Sequence, residues 1–436
     1  MRSGICICIL ISLAFSIVSA GYATNFLTVY AEQKKQVILR ALLTDLSESE
    51  RWQSLFAPAM QELKARHPNI DIQINYSTYP YNQTSSRITE ALSNKTAVDL
   101  ISLDQIWLSD FAQKGLLTDL TNYVLKWGRT SDWYRTNFDG GVYKGKVYGI
   151  WAWTDIRGIW YWKDLLNQAG IDPNSIQTWD GYIAAAKILQ QKNIRPIHLN
   201  GDINSPDVWY PYLWMLGGDI IKMRDGHTTK GTYWFPAYNS TAGIRAMEFI
   251  KQQVNAGIKP QSRLDQQFAD KKFSVMISGS WMSGKFPRDQ WPNLEQKVGF
   301  LSMFPVPDGA NQSSTMVGGW ELGIPQTSQN KDLAWELLTI MVQPNILSPW
   351  LQRYVYLPTQ NTIGSGPYAT TLNRTIPYYD KMVSMIPIGR ARPSIPEYPQ
   401  IAEHIRQAIY EVEHGIKSPV QAINDAAFKS AKVLGW

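Results

Sequence analysis

Beyond position 8 the chain contains no cysteine; its two, Cys6 and Cys8, both lie in the N-terminal apolar stretch. The rest of the chain therefore forms no disulfide and no cysteine-ligated metal centre. Charge is also sparse. Charged residues make up 18% of the sequence, for a net charge of +6. Lys and Arg are scattered, whereas a nucleic-acid footprint needs a basic patch or stripe. His67, His198, His227, His404 and His414 form no H-E-x-x-H pair, and no G-x-S-x-G elbow occurs. No metal site and no cofactor is expected. "GSWMSGKF" (Gly279–Phe286) matches G-x-x-x-x-G-K after a strand-like run, but Phe286 stands where a P-loop needs Ser or Thr for Mg²⁺. Trp281 and Met282 would also crowd a phosphate-wrapping loop, which excludes nucleotide binding there.

What is abundant is aromatic: 18 Trp and 22 Tyr in 436 residues. With 44% hydrophobic residues the chain can bury a large core, and its length suggests two or three domains. Arg2 followed by "ICICILISLAFSIVSA" reads as a secretory signal, with cleavage after Ala20 or Ala23. No charge occurs from Ser3 through Ala31, so an uncleaved membrane anchor is the alternative for residues 1–31. No cysteine ends the apolar run, so no lipid anchor is read. N-x-S/T sequons at Asn75, Asn82, Asn94, Asn239, Asn311 and Asn373 fit an exported surface.

From Gln36 onward, short apolar strands alternate with amphipathic helices. Val37–Leu43, Ile70–Tyr76 and Ala97–Leu103 read as strands. Glu48–Pro68 reads as a helix, with Trp52, Leu55, Phe56, Met60 and Leu63 at helical spacing. This order implies a mostly parallel sheet flanked by helices. The order recurs later: "IWYW" as strand, "KDLLNQAG" as helix stopped by Gly170, a helix capped by Thr178, and helices over Lys331–Gln343 and Gln400–Gly415. The picture is α/β in two lobes.

The aromatics divide by context. Trp52 and Trp335 sit at helical core spacing. Trp153, Trp281 and Trp320 sit at strand ends or in loops beside Gly, Ser or Asp. Ligands of open α/β sheets bind at strand ends. A ring there with Asp or Arg nearby suits a sugar, whose C–H faces pack on rings while carboxylates and guanidiniums take the hydroxyls. Plain packing is the competing reading of the same rings.

Six blocks stand in order: "AVDLISLDQIWLSDFAQKGLLTDLTNYV", "GKVYGIWAWTDIRGIWYWKDLLNQAGI", "TWDGY", "FSVMISGSW", "VGGWELGIPQTSQNKDLAWELL" and "ARPSIPEYPQIAEHIRQAIYEVEHG". Together they closely resemble the family 1 extracellular solute-binding proteins of ABC importers, trehalose/maltose and other oligosaccharide binders in particular. The resemblance implies a two-lobed type II periplasmic-binding fold with a hinge and an interlobe cleft. It places the N-terminal lobe at 36–153 and 304–346 and the C-terminal lobe at 154–303 and 347–436, with crossings near Trp153–Asp155, Phe304 and Leu347. It implies a monomeric receptor, not an enzyme, that captures a di- or oligosaccharide and delivers it to a membrane permease.

Carried onto this sequence, the resemblance makes Glu48, Asp104 and Asp155 hydroxyl acceptors and Arg87 and Arg392 donors. Glu50 rivals Glu48 for the first position. Trp153, Trp281 and Trp320 become cleft rings, Gly319 leaves room for a backbone contact, and Tyr210 is a further contact from the second lobe. Asp104 could equally be a helix N-cap, and Arg392 an interlobe ion pair. Trp160 and Trp162 read as core beneath the cleft. Arg157, two positions after the hinge aspartate, has no counterpart in the resemblance. Two other readings stay open: an exported glycoside hydrolase with Asp104 and Asp155 as its carboxyl pair, and a receptor of the same fold for a non-sugar solute.

Overall fold

A computed structural model describes residues 34–44, 50–201, 205–224, 233–262, 265–302, 304–307 and 313–436. The signal or anchor segment lies outside them. Among the described residues no helix is long and apolar enough to cross a membrane.

The strand Lys35–Thr44 turns Val37, Leu39, Ala41 and Leu43 inward at a period of two and centres the first lobe. It pairs in parallel with Ile70–Tyr79 and Leu100–Asp104. The six-stranded sheet runs Leu357–Pro358, Gly149–Asp155, Gly318–Gly323, Leu100–Asp104, Lys35–Thr44, Ile70–Tyr79. The helix Glu50–Arg66 lays its Trp52, Leu55, Phe56, Ala59, Met60 and Leu63 stripe into this lobe's core. Leu55, Phe56, Met60 and Leu63, when fully buried, each contribute on the order of 1.5–3 kcal/mol.

The second lobe holds a five-stranded sheet: Pro260–Gln261, Ile197–Asn200, Val275–Gly279, Arg157–Trp162, Val298–Leu301. Thr178 caps the helix Trp179–Gln191 by accepting from the Gly181 amide at 3.1 Å, and Gly170 ends Lys163–Ala169 in the left-handed conformation. The C-terminal helices Tyr398–Glu413 and Pro419–Leu434 bury Ile401, Ile405, Ile409 and Ile423 in this lobe's core.

The sheets are less parallel than the element order implies. Gly318–Gly323 runs antiparallel to both of its neighbours, and Arg157–Trp162 runs antiparallel to both of its own. These strands adjoin the passages between lobes, so they do not enter through a βαβ crossover.

Three segments lie side by side between the lobes. The first is Asp155–Ile156–Arg157, where one strand ends and the next begins. The second is Thr315–Met316, leading into Gly318–Gly323, and the third is Gly389–Arg390, paired in parallel with it. The Thr315 hydroxyl donates to the Arg157 carbonyl at 2.7 Å and accepts from the Arg157 amide at 2.9 Å. Neither Phe304 nor Leu347 is a crossing: Phe304 is buried in the second lobe's core, where the Val306 amide still donates to the Gln177 carbonyl, and Leu347 is buried in the first lobe's. Helix Pro344–Tyr354 and strand Leu357–Pro358 stay with the first lobe, where Trp350 packs 4.7 Å from Trp153 and Leu357 pairs with Thr154. Residues farther along reach the second lobe's edge, where the Tyr378 hydroxyl donates to the Val298 carbonyl at 2.7 Å.

Candidate functional site

The three segments floor a cavity of about 330 Å³ between the lobes. Asp104, Gly319 and Trp320 line it from the first sheet, Asp155 and Arg157 from the first segment, Asp207, Asp265 and Trp281 from the second lobe, and Arg392 from just past the third segment.

An ion-pair chain runs through it. Arg392 donates to Asp104 at 2.8 Å and reaches Asp207 at 3.8 Å. Arg157 meets Asp207 at 3.2 Å and also pairs with Asp155. Asp104, Asp155, Arg157 and Arg392 are all buried. Burial pushes the Asp104 carboxyl above its ordinary range, although Arg392 and the Tyr81 hydroxyl, which donates at 2.9 Å, pull it back. Burial alone would lower the Arg392 guanidinium, but Asp104 and Asp207 more than offset this and hold it charged.

Asp104 is both things its sequence position allows. It caps the helix Gln105–Gln113 through the Ile106 amide at 3.3 Å, and it lines the cavity. Arg392 likewise is both a lining residue and an ion-pair partner.

The rings form three groups. Trp320 meets Tyr81 and Trp107 edge-on at 6.0 and 5.8 Å. Tyr354 and Tyr356 form a second wall, with the Arg51 guanidinium 4.9 and 5.6 Å from their centroids. Trp281 is the third; its indole N–H donates to Asp265 at 2.7 Å, and Asp265 also accepts from Ser278 at 2.7 Å.

Gly319 lines the cavity for a reason beyond ligand clearance. Its φ is +149°, and a Cβ there would lie 2.1 Å from the Trp151 indole nitrogen. At Gly318 a Cβ would crowd the Asp155 carboxylate at 2.7 Å.

Three expected contacts lie elsewhere. Trp153 is fully buried, packed against Trp52, Trp350 and Tyr356. Trp153 lies inside the strand, where the core covers it, whereas Asp155 is the strand's last residue and lines the cavity. Arg87 is exposed and pairs with Glu90 one turn along its own helix, because it falls on the solvent face opposite Thr84, Ile88 and Leu92. Tyr210 is fully buried and accepts from the Tyr398 hydroxyl at 2.9 Å behind the cavity. Glu48 lies outside the described residues. Glu50, its rival, pairs at the surface with Arg353. Trp160 and Trp162 are core, as read.

Sequence reasoning missed Thr44, Arg51, Tyr81, Arg157, Asp207, Asp265, Lys285, Tyr354 and Tyr356. Arg157 carried a signal: a basic residue two positions after the hinge aspartate. The tyrosines carried only their abundance.

Among the described residues the lining acids are Asp104, Asp155, Asp207 and Asp265, and the lining bases are Arg51, Arg157, Lys285 and Arg392. The site is therefore electrically balanced. No cluster of His, Cys, Asp or Glu able to hold a metal occurs among the described residues.

Residues 46–345 match the family described as bacterial extracellular solute-binding protein. The chain belongs to this family of binding proteins. It is 27% identical over 396 residues to a putative binding protein of Brucella abortus, covering 87% of this chain and 89% of that one. It is 21% identical to the arabinooligosaccharide-binding protein of Bacillus subtilis, covering 66% and 65%. Its fold superposes with a TM-score of 0.75 on an ABC transporter solute-binding protein from Thermotoga lettingae bound with α-D-tagatose, at 23% identity over 92% of this chain and 100% of that one.

Proposed function

We propose that this solute-binding protein is an exported receptor that captures a sugar in the interlobe cleft and hands it to the permease of an ABC importer. One observation carries the reading: a charge-balanced cavity walled by Trp320, Trp281 and the Tyr354–Tyr356 pair, with paired carboxylates and guanidiniums between the rings. Stacking faces bind the apolar side of a pyranose or furanose, and the paired charges bind hydroxyls bidentately. The tagatose-bound structural relative and the arabinooligosaccharide-binding relative support the same class. An anionic solute is favoured by cations in excess, and among the described lining residues the bases equal the acids.

A hydrolase requires one carboxyl held as an acid and one free to attack or activate water. Asp104 and Asp155 instead each face a guanidinium. A carbohydrate panel read by thermal shift, with chromatography of the same mixtures, tests the proposal. Saturable stabilisation by a sugar with no product is the expected result. Released monosaccharide would establish the hydrolase instead, and a flat panel would remove the sugar.

The adjacent segments at 155–157, 315–316 and 389–390 are the hinge in this reading, closure bringing Asp207 and Trp281 toward Asp104 and Trp320.

A further inference from the structure

Trp281 is held on three sides. Asp265 fixes its indole N–H at 2.7 Å, and Gly279 lies so close to its six-membered ring that a Cβ there would approach within 2.1 Å. The third contact is Arg157, whose guanidinium carbon lies 4.7 Å from the ring centroid, over the face. Arg157 is itself clamped by Asp155 on one side and Asp207 at 3.2 Å on the other, and it is buried.

A planar cation stacked on an indole takes the space a sugar ring would take. Its clamp is made of one buried carboxylate, Asp155, and one half-buried, Asp207, and the arginine is itself buried, so it is fixed there and does not swing away as a surface arginine would. The cavity that remains, about 330 Å³, is at the small end of the roughly 300–1,000 Å³ usual for ligand pockets.

Resting on the sugar reading above, we propose that Arg157 is a specificity residue that sets ligand length. It occupies the Trp281 face as a built-in substitute for a sugar unit, so the cleft takes a short sugar, and longer chains are refused at this end. Its neighbours explain why an arginine is used. Lysine would keep the charge between Asp155 and Asp207 but present no flat face to the indole.

The test is calorimetric titration with two ladders, maltose to maltotetraose and arabinobiose to arabinotetraose, on the wild type, Arg157→Ala, Arg157→Lys and the double variant Arg157→Ala/Asp155→Asn. The double variant removes one of the carboxylates that Arg157→Ala leaves unpaired. The wild type is expected to bind the two-unit member at least as tightly as the four-unit member. Each variant that folds by circular dichroism is expected to shift that preference at least tenfold toward the longer sugar. Equal weakening at every length would make Arg157 a structural clamp only and overturn the inference, as would wild-type preference for the tetrasaccharide. No binding of either ladder by the wild type would remove the sugar reading itself, and the inference with it.

Discussion

Asp104 and Arg392 face each other at 2.8 Å, one at the end of a first-lobe strand and the other two residues past the strand Gly389–Arg390. Both are buried, so the pair tolerates loss of one member poorly. Arg392→Ala leaves Asp104 and Asp207 facing a void, and removal of one partner of a buried pair costs about 3–5 kcal/mol. Replacing both members, as Asp104→Asn with Arg392→Met, removes the stranded charge on Asp104 and is expected to cost less than Arg392→Ala alone. Thermal unfolding of the two variants checks this; the reverse order would show that the pair is not the source of the loss.

Trp320→Ala is expected to weaken sugar binding at least tenfold, about 1.4 kcal/mol, with the melting temperature little changed. Trp320 is half-buried and meets its neighbours edge-on, so its loss opens no sealed void.

Trp153→Ala is expected to do the opposite, because this ring is sealed among Trp52, Trp350 and Tyr356. It is expected to lose about 3–5 kcal/mol of stability through the cavity it leaves. Denaturant unfolding measures this. Trp160→Phe and Trp162→Phe, in the core below the hinge, are expected to leave affinity unchanged. A large drop in affinity from either would mean that the cleft extends under the second sheet.

Glu321 gives a pH signature. Both of its carboxyl oxygens are buried without a hydrogen-bond partner. Burial pushes its pKa well above 4.5, and the nearby Asp104 charge adds to the push. The folded chain keeps a proton that the unfolded chain releases above that ordinary value. Its contribution to stability is therefore fully present at low pH and is lost as pH rises toward the folded-state pKa. Glu321→Gln removes that slope. The variant is expected to gain on the wild type between pH 5 and pH 8 in urea unfolding; a stability difference independent of pH would show that Glu321 is ionised in the fold.

Much of the fold was legible because periodicity and caps were strong. The Trp52–Leu63 stripe and the Thr178 cap each mark an element that the structure contains. The lobe that holds helix Pro344–Tyr354 was not legible, since an amphipathic helix declares its apolar face but not which lobe will cover it. The same limit applies inside Gly149–Asp155. A strand buried on both faces has no polar alternation, so nothing distinguished the core ring Trp153 from a cleft ring. Asp104, Asp155 and Arg392 were reached only through the family resemblance of the blocks that hold them. Asp207 and Asp265 were not reached, because a single acid at the start of a helix is the ordinary N-terminal preference.

The central claim is that a sugar occupies the cleft between Trp320 and Trp281. A crystal structure of the protein grown with the sugar that the thermal-shift panel selects tests it most directly. The account predicts a sugar ring packed against Trp320, with hydroxyls within hydrogen-bond reach of Asp104 and Arg392. Sugar density outside the cavity, with the Trp320 face bare, would contradict it.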